Sequence, residues 1–513
     1  MTVLVLGDQL TRRHGPVARR EDERVLMIEA SAFAHRLPYH PHKLTTVFSA
    51  MRHFRDECRA EGRTVDYHRV ETFADGFAAH FDAHPDDELV VMRPASHGTA
   101  ERLHELVADA GGTLTVVENE AFLCSPADFD EWVGDADRLK HERFYRFMRR
   151  ETGYLMDGDE PVGGEWNYDE ENRETPPEDY DSPEPPAFEI DETTAEVHEW
   201  VRETFDGGYD DPPYGGDWAD PAWNGDSFPW PVTRRQACHA LDTFATERLD
   251  RFGHYQDAMR DSEWALQHSL LSTALNLGLL HPAEVVERVV EEYESRDVPL
   301  NSVEGFVRQV LGWREFLRHV YRREMPELAD ANQLGAAEDL PEFYWTGETD
   351  MACLSDVIDG VRARGYSHHI ERLMVLSNFA LTYGVEPAQL NRWFHAAYVD
   401  AFHWVTTPNV VEMGLFGAGV FATKPYASSA NYVDRMSDYC SGCPYYKTKT
   451  TGDGACPFNA LYWDFLGRNE DELRSNHRMG LVYSHWDDKD EDEREEIRDR
   501  AAEIRELAES GDL

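Results

Sequence analysis

Lysine is almost missing from this chain. Six of its 50 basic residues are lysines, acidic residues number 99, and the formal net charge is −49 over 513 residues. Such an excess of one sign causes strong self-repulsion unless salt screens it, and molar salt shortens the Debye length to about 3 Å. The composition therefore predicts a protein of a salt-rich cytoplasm. It does not exclude nucleic acid as a partner, because only local surface charge matters once distant charges are screened.

Long apolar runs are also missing. No stretch approaches the ~20 apolar residues of a membrane-spanning helix, and the start, MTVLVLGDQL, lacks the basic and apolar pattern of a secretory signal. We therefore expect a cytoplasmic protein without membrane contact. The seven cysteines do not make a secreted disulfide framework, which leaves metal or redox chemistry for any that cluster.

The first 130 residues alternate short apolar runs with helical periods. The runs cover residues 3–7, 25–30, 65–70, 88–94 and 113–118. This rhythm predicts a Rossmann-like α/β domain with a doubly wound parallel sheet, which binds ligands at the carboxyl ends of its strands. GDQLT follows the first run and is a candidate part of that edge, although it lacks the glycine fingerprint of a dinucleotide site.

Three further regions follow the α/β domain. Residues 131–234 are rich in proline, glycine and acids, which indicates a connector with little helical period. Residues 235–475 carry apolar side chains at helical spacing and predict an all-α domain. Residues 476–513 predict a solvent-exposed acidic helix. We find no internal repeat.

The connector contains a basic island. The segment RLKHERFYRFMRR (138–150) predicts an amphipathic helix with a cationic face and an apolar face. That face indicates either phosphate contacts or a packing helix whose arginine stems cover apolar surface. Its basic residues are Lys140, Arg143, Arg146 and Arg150.

Three cysteines fall in the segment YCSGCPYYKTKTTGDGACPFNALYW. Cys440 and Cys443 form a C-x-x-C pair, Cys456 follows, and proline comes directly after Cys443 and Cys456. Such spacing occurs in zinc sites, thioredoxin-type redox pairs and iron–sulfur clusters. The helical and loop-like surroundings disfavour the thioredoxin type. Cys353 is the remaining candidate for a fourth thiolate, and the pattern favours iron–sulfur over zinc.

A set of motifs, in order along the chain, resembles the photolyase/cryptochrome flavoproteins. The similarity is greatest to the bacterial and archaeal branch that carries an iron–sulfur cluster, and it covers nearly the whole chain. The motifs are GDQL, SAMRHF, FYRFMRRETGYLM, GGEWNYDEENR, GYSHHIERLM, TKPYASSANY and the four cysteines. The resemblance implies an all-α domain that holds FAD. It also implies a [4Fe–4S] cluster, structural in role, on Cys353, Cys440, Cys443 and Cys456.

The resemblance also assigns residues to the flavin. Arg372 and Asp400 match the ion pair of the family near the isoalloxazine ring. A second group would line the cavity near the pyrophosphate, although serines in HSLLSTALNLG alone would indicate no more than a helix N-cap. This second group comprises Tyr255, Ser269, Leu271, Ser272 and Arg314.

At the lesion side the resemblance implies roles for His368, His369 and Tyr426. We expect the two histidines to be adjacent on a helix, with side chains about 100° apart. A histidine can supply a proton near neutral pH, and (6-4) repair needs an acid because it moves a hydroxyl between two joined pyrimidines. The position that faces flavin N5 in better-known members falls on Thr406, and Asn409 is a candidate substitute.

The sheet domain is expected to carry an antenna pigment, which in this branch is 6,7-dimethyl-8-ribityllumazine. Asp8 and Gln9 would contact the pigment, and His40, His42 and Lys43 would line its pocket. An empty pocket is the alternative.

The favoured function is light-driven repair of UV-damaged DNA, at the (6-4) photoproduct, by a monomer that binds a lesion flipped out of the duplex. A blue-light photoreceptor of the same fold is the first alternative. A non-photochemical iron–sulfur module, similar to the primase large subunit, is the second. Trp345, Trp393 and Trp404 are candidates for an electron relay, although aromatics at helical spacing more often belong to a core.

Overall fold

The amino-terminal part is a parallel sheet. The computed structural model describes residues 1–136, 138–205, 227–261 and 263–513. Its five strands are β1 (Thr2–Leu4), β2 (Arg24–Ala30), β3 (Val65–Val70), β4 (Glu88–Met92) and β5 (Thr113–Val117). Their order in the sheet is β3-β2-β1-β4-β5, and every neighbouring pair is parallel. Each strand overlaps a predicted apolar run, so the doubly wound α/β domain is confirmed.

Helices join the strands. They span Gly15–Arg19, Ser31–Ala34, Pro41–Ala60, Phe73–Ala83 and Thr99–Asp109. The helix Phe73–Ala83 begins at a capping box formed by Thr72 and Asp75. It packs so closely on the sheet that a Cβ added at Gly76 would lie 2.7 Å from Ile28 Cγ2. Glycine at this position allows the close approach.

The connector is more helical than the sequence predicts. It contains Glu192–Phe205, whose buried Val197 and Val201 belong to the same hydrophobic cluster as Phe48 of the helix Pro41–Ala60. The spacing of four residues between these valines was the signal for this helix. Residues 206–226 of the predicted connector lie outside the described residues. The other elements of the region are Pro126–Val133, His141–Thr152, the 3₁₀ turn Asp169–Glu171, and the short strands Met156–Asp157, Glu160–Pro161, Phe188–Glu189 and Ser227–Phe228.

The basic island forms the helix His141–Thr152, and Lys140 precedes it as the N-cap. Arg146 pairs with Glu142 at 2.8 Å. The guanidinium carbons of Arg146 and Arg150 lie 5.3 and 4.7 Å from the ring centre of Trp166. These contacts favour the packing interpretation for Arg146 and Arg150, whereas Arg143 is exposed.

The region predicted to be all-α is helical, and within its described residues extended pairing is limited to two isolated bridges. Its α-helices are Arg234–Thr243, Leu249–Phe252, Ser272–Leu277, Pro282–Ser295, Leu300–Val307, Glu315–Glu324, Phe343–Thr346, Ala352–Arg364, His369–Glu371, Asn378–Tyr383, Pro387–Ala397, His403–Thr407, Ala430–Met436, Pro457–Arg468 and Glu470–Leu473. Glu327–Asp330 and Tyr439–Ser441 are 3₁₀ turns.

Several of these helices contain π-helical segments. They span Phe244–Arg248, Arg308–Arg314, Arg372–Ser377 and Pro408–Gly414. Such segments are rare and are frequent at functional sites. Two of them carry Arg314 and Arg372, which the sequence assigns to the flavin.

The helices are divided between two hydrophobic cores. One contains sheet residues together with helices up to Leu328, and the other covers most of the chain from Leu340 to Leu513. The last elements are His477–Met479, Gly480–Asp487 and Glu491–Ser510. The expectation of a merely solvent-exposed final helix is wrong, because its apolar face is buried in the second core. That face comprises Ile497, Ala501, Ile504 and Ala508.

Among the described residues, no helix is both long and apolar enough to cross a bilayer.

Lowering the salt concentration from molar to dilute buffer is expected to lower the midpoint of thermal unfolding. The net charge of −49 repels itself more strongly as the Debye length grows from about 3 Å at 1 M to about 10 Å at 0.1 M. Calorimetry across a KCl series measures the effect. Sucrose strengthens apolar burial without screening charge and is the control. A midpoint that is independent of KCl would contradict the salt-rich assignment.

Candidate active site

An ion pair lies at the centre of the helical region. Arg372 donates from Nη1 and Nη2 to Oδ1 and Oδ2 of Asp400, both at 3.1 Å. Its Nε–H donates to the carbonyl of Ser367 at 2.7 Å, and its guanidinium carbon lies 4.2 Å from the ring centre of Tyr398. Burial lowers the pKa of Arg372 and the Asp400 carboxylate raises it, with a net rise. The site therefore holds a fixed, bidentate charge pair.

One of the predicted serines, Ser272, contacts this pair. Ser272 Oγ donates to Asp400 Oδ2 at 2.7 Å, and Asn276 Nδ2 donates to the Asp400 carbonyl at 2.9 Å. Ser269 Oγ accepts from the backbone N–H of Leu271 at 3.5 Å. The structure thus brings the serine segment to the ion pair, although their positions are more than 100 residues apart in the sequence. Asn276 was not predicted, because only Ser269, Leu271 and Ser272 of this motif were assigned to the flavin.

Buried polar atoms beside this segment fit a polar ligand. Thr273 Oγ1 and Gln267 Oε1 are buried and lack a hydrogen-bond partner among the described residues. An unpaired buried polar group costs about 1–3 kcal/mol, which a bound polar group would offset. With the hydroxyls of Ser269 and Ser272, these atoms provide donors and acceptors suited to a pyrophosphate or ribityl chain.

Two histidines of the GYSHHIERLM motif have different surroundings. His368 is fully buried, and its ring stacks on His268 with centroids 4.3 Å apart and planes 8° apart. His369 is 45% exposed, and its Nε2 lies 3.6 Å from Asp257 Oδ1. The expectation that both histidines lie on one helix is wrong. The helix begins at His369, and His368 is an extended N-cap with ψ of 168°.

Buried polar contacts connect His368 to the cysteine segment. The backbone N–H of His368 donates to Glu371 Oε2 at 3.1 Å, and the hydroxyl of Tyr439 donates to Glu371 Oε1 at 3.1 Å. Burial raises the pKa of Glu371 to about 7. Tyr439 directly precedes Cys440, so one carboxyl group joins the histidine turn to the cysteine loop.

Tyr426 is a partly exposed side chain with an acidic neighbour. It is 37% exposed, and partial burial and the Asp169 carboxylate raise its pKa. Burial and then the Asp257 carboxylate raise the pKa of Tyr432, to which Asp169 also contributes. Asp257 is also the neighbour of His369. Tyr426 thus shares the acidic neighbour Asp169 with Tyr432, and Tyr432 shares Asp257 with His369. Sequence reasoning missed Asp257 and Tyr432.

Arg314 and Tyr255 have other described neighbours. Arg314 Nη1 lies 3.1 Å from Glu315 Oε1, and the guanidinium carbon of Arg314 lies 4.4 Å from the ring centre of Phe122 and 5.2 Å from that of Trp404. Tyr255 packs in a small cluster with Leu266 and Ala258. Their assignment to the flavin stays a prediction.

The N5 and relay candidates have structural contacts of their own. Thr406 is buried, and the side-chain amide of Asn409 donates to the carbonyl of Val405 at 2.8 Å. The rings of Trp345 and Trp393 are 6.5 Å apart, and Trp393 lies 5.8 Å from Tyr398 beneath Arg372. Trp404 belongs instead to the Phe122 cluster.

The four predicted cysteine ligands come from separate elements. Cys353 is in the first turn of Ala352–Arg364, Cys440 is in a 3₁₀ turn, and Cys456 precedes Pro457–Arg468. All are free thiols. Burial raises the pKa of Cys353, and the other three cysteines raise it further. The four thiols therefore lie within electrostatic range of one another.

The cysteine sulfurs do not form a closed triad. Among the described residues, no three of them lie within 4.8 Å of one another, whereas two histidine-containing groups do. The assignment of the four thiols to an iron–sulfur cluster stays a prediction.

The antenna candidates divide into two groups. Gln9 Nε2 donates to the Met92 carbonyl at 2.7 Å, and burial raises the pKa of Asp8 to about 6. Lys43 Nζ instead donates to the carbonyls of His395 and Ala401 at 2.5 and 2.7 Å, in the helical region. His40 and His42 likewise contact carbonyls there, of Arg362 and Arg364.

Comparison with known proteins identifies the family. Residues 3–212 match the family model described as deoxyribodipyrimidine photo-lyase-related protein. The chain is 40% identical over 509 residues to a protein of Agrobacterium fabrum named (6-4) photolyase, with 98% of each chain covered. The chain belongs to the photolyase-related family. Membership implies a flavoprotein, in agreement with the residues that surround Arg372 and Asp400.

Solved structures have the same fold as this photolyase-related protein. A bacterial class III photolyase from Agrobacterium tumefaciens superposes with a TM-score of 0.60 at 16% identity, covering 99% of this chain and 96% of that one. A cryptochrome from Synechocystis superposes with a TM-score of 0.61 at 13% identity, covering 99% and 98%. These likenesses establish the α/β-plus-helical architecture over the whole chain.

Proposed function

We propose that this protein repairs UV-damaged DNA in light, with the (6-4) photoproduct as its substrate. The observation that carries the proposal is the end-to-end identity of 40% with a relative named (6-4) photolyase. The site geometry supports it, because an exposed histidine, His369, lies beside the buried His268–His368 imidazole stack.

FAD is the cofactor we assign to the helical region. In its reduced form FAD absorbs blue light and supplies the electron that the lesion needs. Ser269, Leu271 and Ser272 would hold its pyrophosphate, and Arg372 and Asp400 would fix the ring. The bidentate pair keeps a positive guanidinium in place whatever the charge of the ligand, which favours an anionic reduced flavin.

His369 would transfer the proton. Its side chain is 45% exposed and so open to a base flipped into the site, and Asp257 at 3.6 Å from Nε2 can hold the ring in orientation. His368 is buried beneath it against His268 and acts through position rather than contact. Tyr426 would contact the lesion.

Asp400→Asn is expected to lower FAD content and reduce the free energy of unfolding by roughly 3 kcal/mol. The amide keeps the shape of the side chain but leaves the Arg372 charge unpaired. Loss of one partner costs about 3–5 kcal/mol in a buried pair. We expect the lower end of this range because Arg372 is 26% exposed. Flavin absorbance and urea unfolding measure both effects. The control is Glu105→Gln in the exposed pair with Arg102, where less than about 1 kcal/mol is expected. Equal effects of the two variants would argue against a buried pair at the flavin.

We further propose that Cys353, Cys440, Cys443 and Cys456 hold a [4Fe–4S] cluster, and that 6,7-dimethyl-8-ribityllumazine is the antenna. The C-x-x-C pair and the mutual electrostatic influence of the four thiols support the cluster. For the antenna, the position of Asp8 and Gln9 after β1 is the supporting feature, whereas His42 and Lys43 contact the helical region. Fluorescence of pigment released from purified protein tests the antenna.

The repair proposal is tested with defined lesions. Prereduced protein under blue light should convert an oligonucleotide with one (6-4) lesion to intact pyrimidines, and dark incubation should not. Binding to the lesion without repair of either (6-4) or cyclobutane dimers would favour a photoreceptor. Protein without flavin absorption would favour a non-photochemical nucleic-acid module.

A further inference from the structure

A cluster of metal-ligating side chains lies far from the flavin, at the amino-terminal edge of the sheet. Asp66 is the second residue of β3. His80 lies near the end of the helix Phe73–Ala83, and His84 is its C-cap residue. The i, i+4 spacing places both imidazoles on one face of the helix, opposite the aspartate of the strand.

The distances match a zinc coordination sphere. Asp66 Oδ2 lies 3.4 Å from His80 Nδ1 and 3.3 Å from His84 Nε2. All three ligand atoms lie within 4.8 Å of one another. Tetrahedral zinc with bonds of about 2.0–2.1 Å holds its ligand atoms about 3.4 Å apart. Two of the edges of such a tetrahedron are therefore already formed.

The hydrogen bonds around the cluster leave a lone pair turned inward. His80 Nε2 lies 3.1 Å from Asp87 Oδ2, and a carboxylate can only accept, so this nitrogen carries the proton. In neutral His80, Nδ1 then presents a lone pair toward Asp66 Oδ2, and this buried atom has no hydrogen-bond partner among the described residues. Two acceptors that face each other repel unless a proton or a cation lies between them.

Between His80 Nδ1 and Asp66 Oδ2, a metal cation is more favourable than a proton. The side chain of His80 is 0% exposed, so an imidazolium there would be a fully buried charge. The Asp87 contact is the carboxylate–histidine–metal arrangement that fixes the tautomer of a ligand and raises its basicity. Arg24 Nη1 donates to Asp66 Oδ1 at 2.8 Å, which leaves Oδ2 for the cluster.

We propose that Asp66, His80 and His84 bind a divalent transition-metal ion, with Zn²⁺ as the best fit. His80 would bind through Nδ1, His84 through Nε2 and Asp66 through Oδ2, and water would occupy the fourth position because His84 is 31% exposed. Two neutral imidazoles and one carboxylate suit this class of metal. The site joins β3 to its following helix and stabilises the sheet domain. It lies at the strand ends opposite the ligand-binding edge, so it is structural.

Zinc binding to the full-length protein tests this proposal. Equilibrium dialysis of anaerobically prepared, iron-replete protein should give one tightly bound Zn²⁺ per chain. His84→Ala and Asp66→Asn should each weaken binding at least about 10-fold, since loss of outer partners alone costs 10–100-fold. The matched control is His104→Ala, an exposed histidine on the neighbouring helix Thr99–Asp109, which should bind as the wild type does. Added Zn²⁺ should raise the unfolding temperature of wild type and control only.

X-ray absorption at the zinc edge of the wild-type protein identifies the ligand atoms of the metal, even if a variant fails to fold. The proposal requires a shell of nitrogen and oxygen at about 2.0–2.1 Å with imidazole scattering. A shell with sulfur at about 2.3 Å would place the metal at the cysteines and overturn it. No zinc bound by wild type, or equal binding by His84→Ala, would overturn it as well.

Discussion

His369→Ala is expected to retain FAD, cluster and lesion binding, yet to lose (6-4) repair by about 10²–10⁴-fold. General acid–base catalysis is worth that factor, or roughly 3–5 kcal/mol of barrier. The side chain is 45% exposed, so its removal leaves the core intact. Single-turnover repair under blue light with prereduced protein measures the loss and removes any electron relay from the result.

Two comparisons give this prediction its specificity. His369→Asn keeps a polar side chain that cannot transfer a proton, so it should lose as much as the alanine variant. His104→Ala removes an exposed histidine in the sheet domain and should repair normally. His368→Ala removes a buried ring stacked on His268, so its loss should appear in unfolding temperature as well as in repair. Repair by His369→Ala at the wild-type rate would refute the assignment.

Much of the scaffold could be predicted from the sequence because it depends on local periodicity. The five strands lie at the apolar runs, since both faces of a parallel sheet are buried. The Arg372–Asp400 pair was also predicted, but only from family motifs, and the contact of Ser272 with Asp400 was not predicted. Local sequence patterns do not indicate that residues so far apart share a hydrogen-bond network.

The errors have a common physical origin in tertiary packing. The final helix contains many acids, yet it is buried along Ile497, Ala501 and Ile504, a narrow stripe that the charge count conceals. His368 was placed on a helix because its neighbours are helical, whereas it is the N-cap residue, and its backbone N–H donates to the Glu371 carboxylate. Such caps depend on one side chain three residues away and are weak signals in a single sequence.

The Asp66–His80–His84 cluster was missed for a related reason. Its histidines have helical spacing, but the aspartate comes from a strand, and only the β3-to-helix packing unites them. The cysteines were easier to find because a C-x-x-C pair is contiguous in the chain. Even there, the fourth ligand, Cys353, was a candidate by elimination until the family motifs supported it.

Purified protein is expected to be brown, with about four iron and four sulfide per chain, as a [4Fe–4S] cluster requires. Cys353→Ala should lose most of this iron and much of the soluble yield. Cys353 belongs to the helix Ala352–Arg364, whereas the other three proposed ligands follow residue 438, so the proposed cluster would join two distant parts of one core. The final residue, Leu513, is bonded to the segment just before this helix. Its carbonyl accepts from the backbone N–H of Asp350 at 2.9 Å.

The matched control is Cys238→Ala, which removes a half-buried cysteine of the helix Arg234–Thr243. It should keep iron, sulfide and solubility, because Cys238 lies outside the cluster segment. Iron and sulfide assays on anaerobically prepared protein measure the content, and the soluble fraction measures folding. Flavin retained in the remaining soluble Cys353→Ala protein would assign the cluster to stability rather than to repair chemistry. One zinc per chain on the cysteines, with no iron, would overturn the cluster.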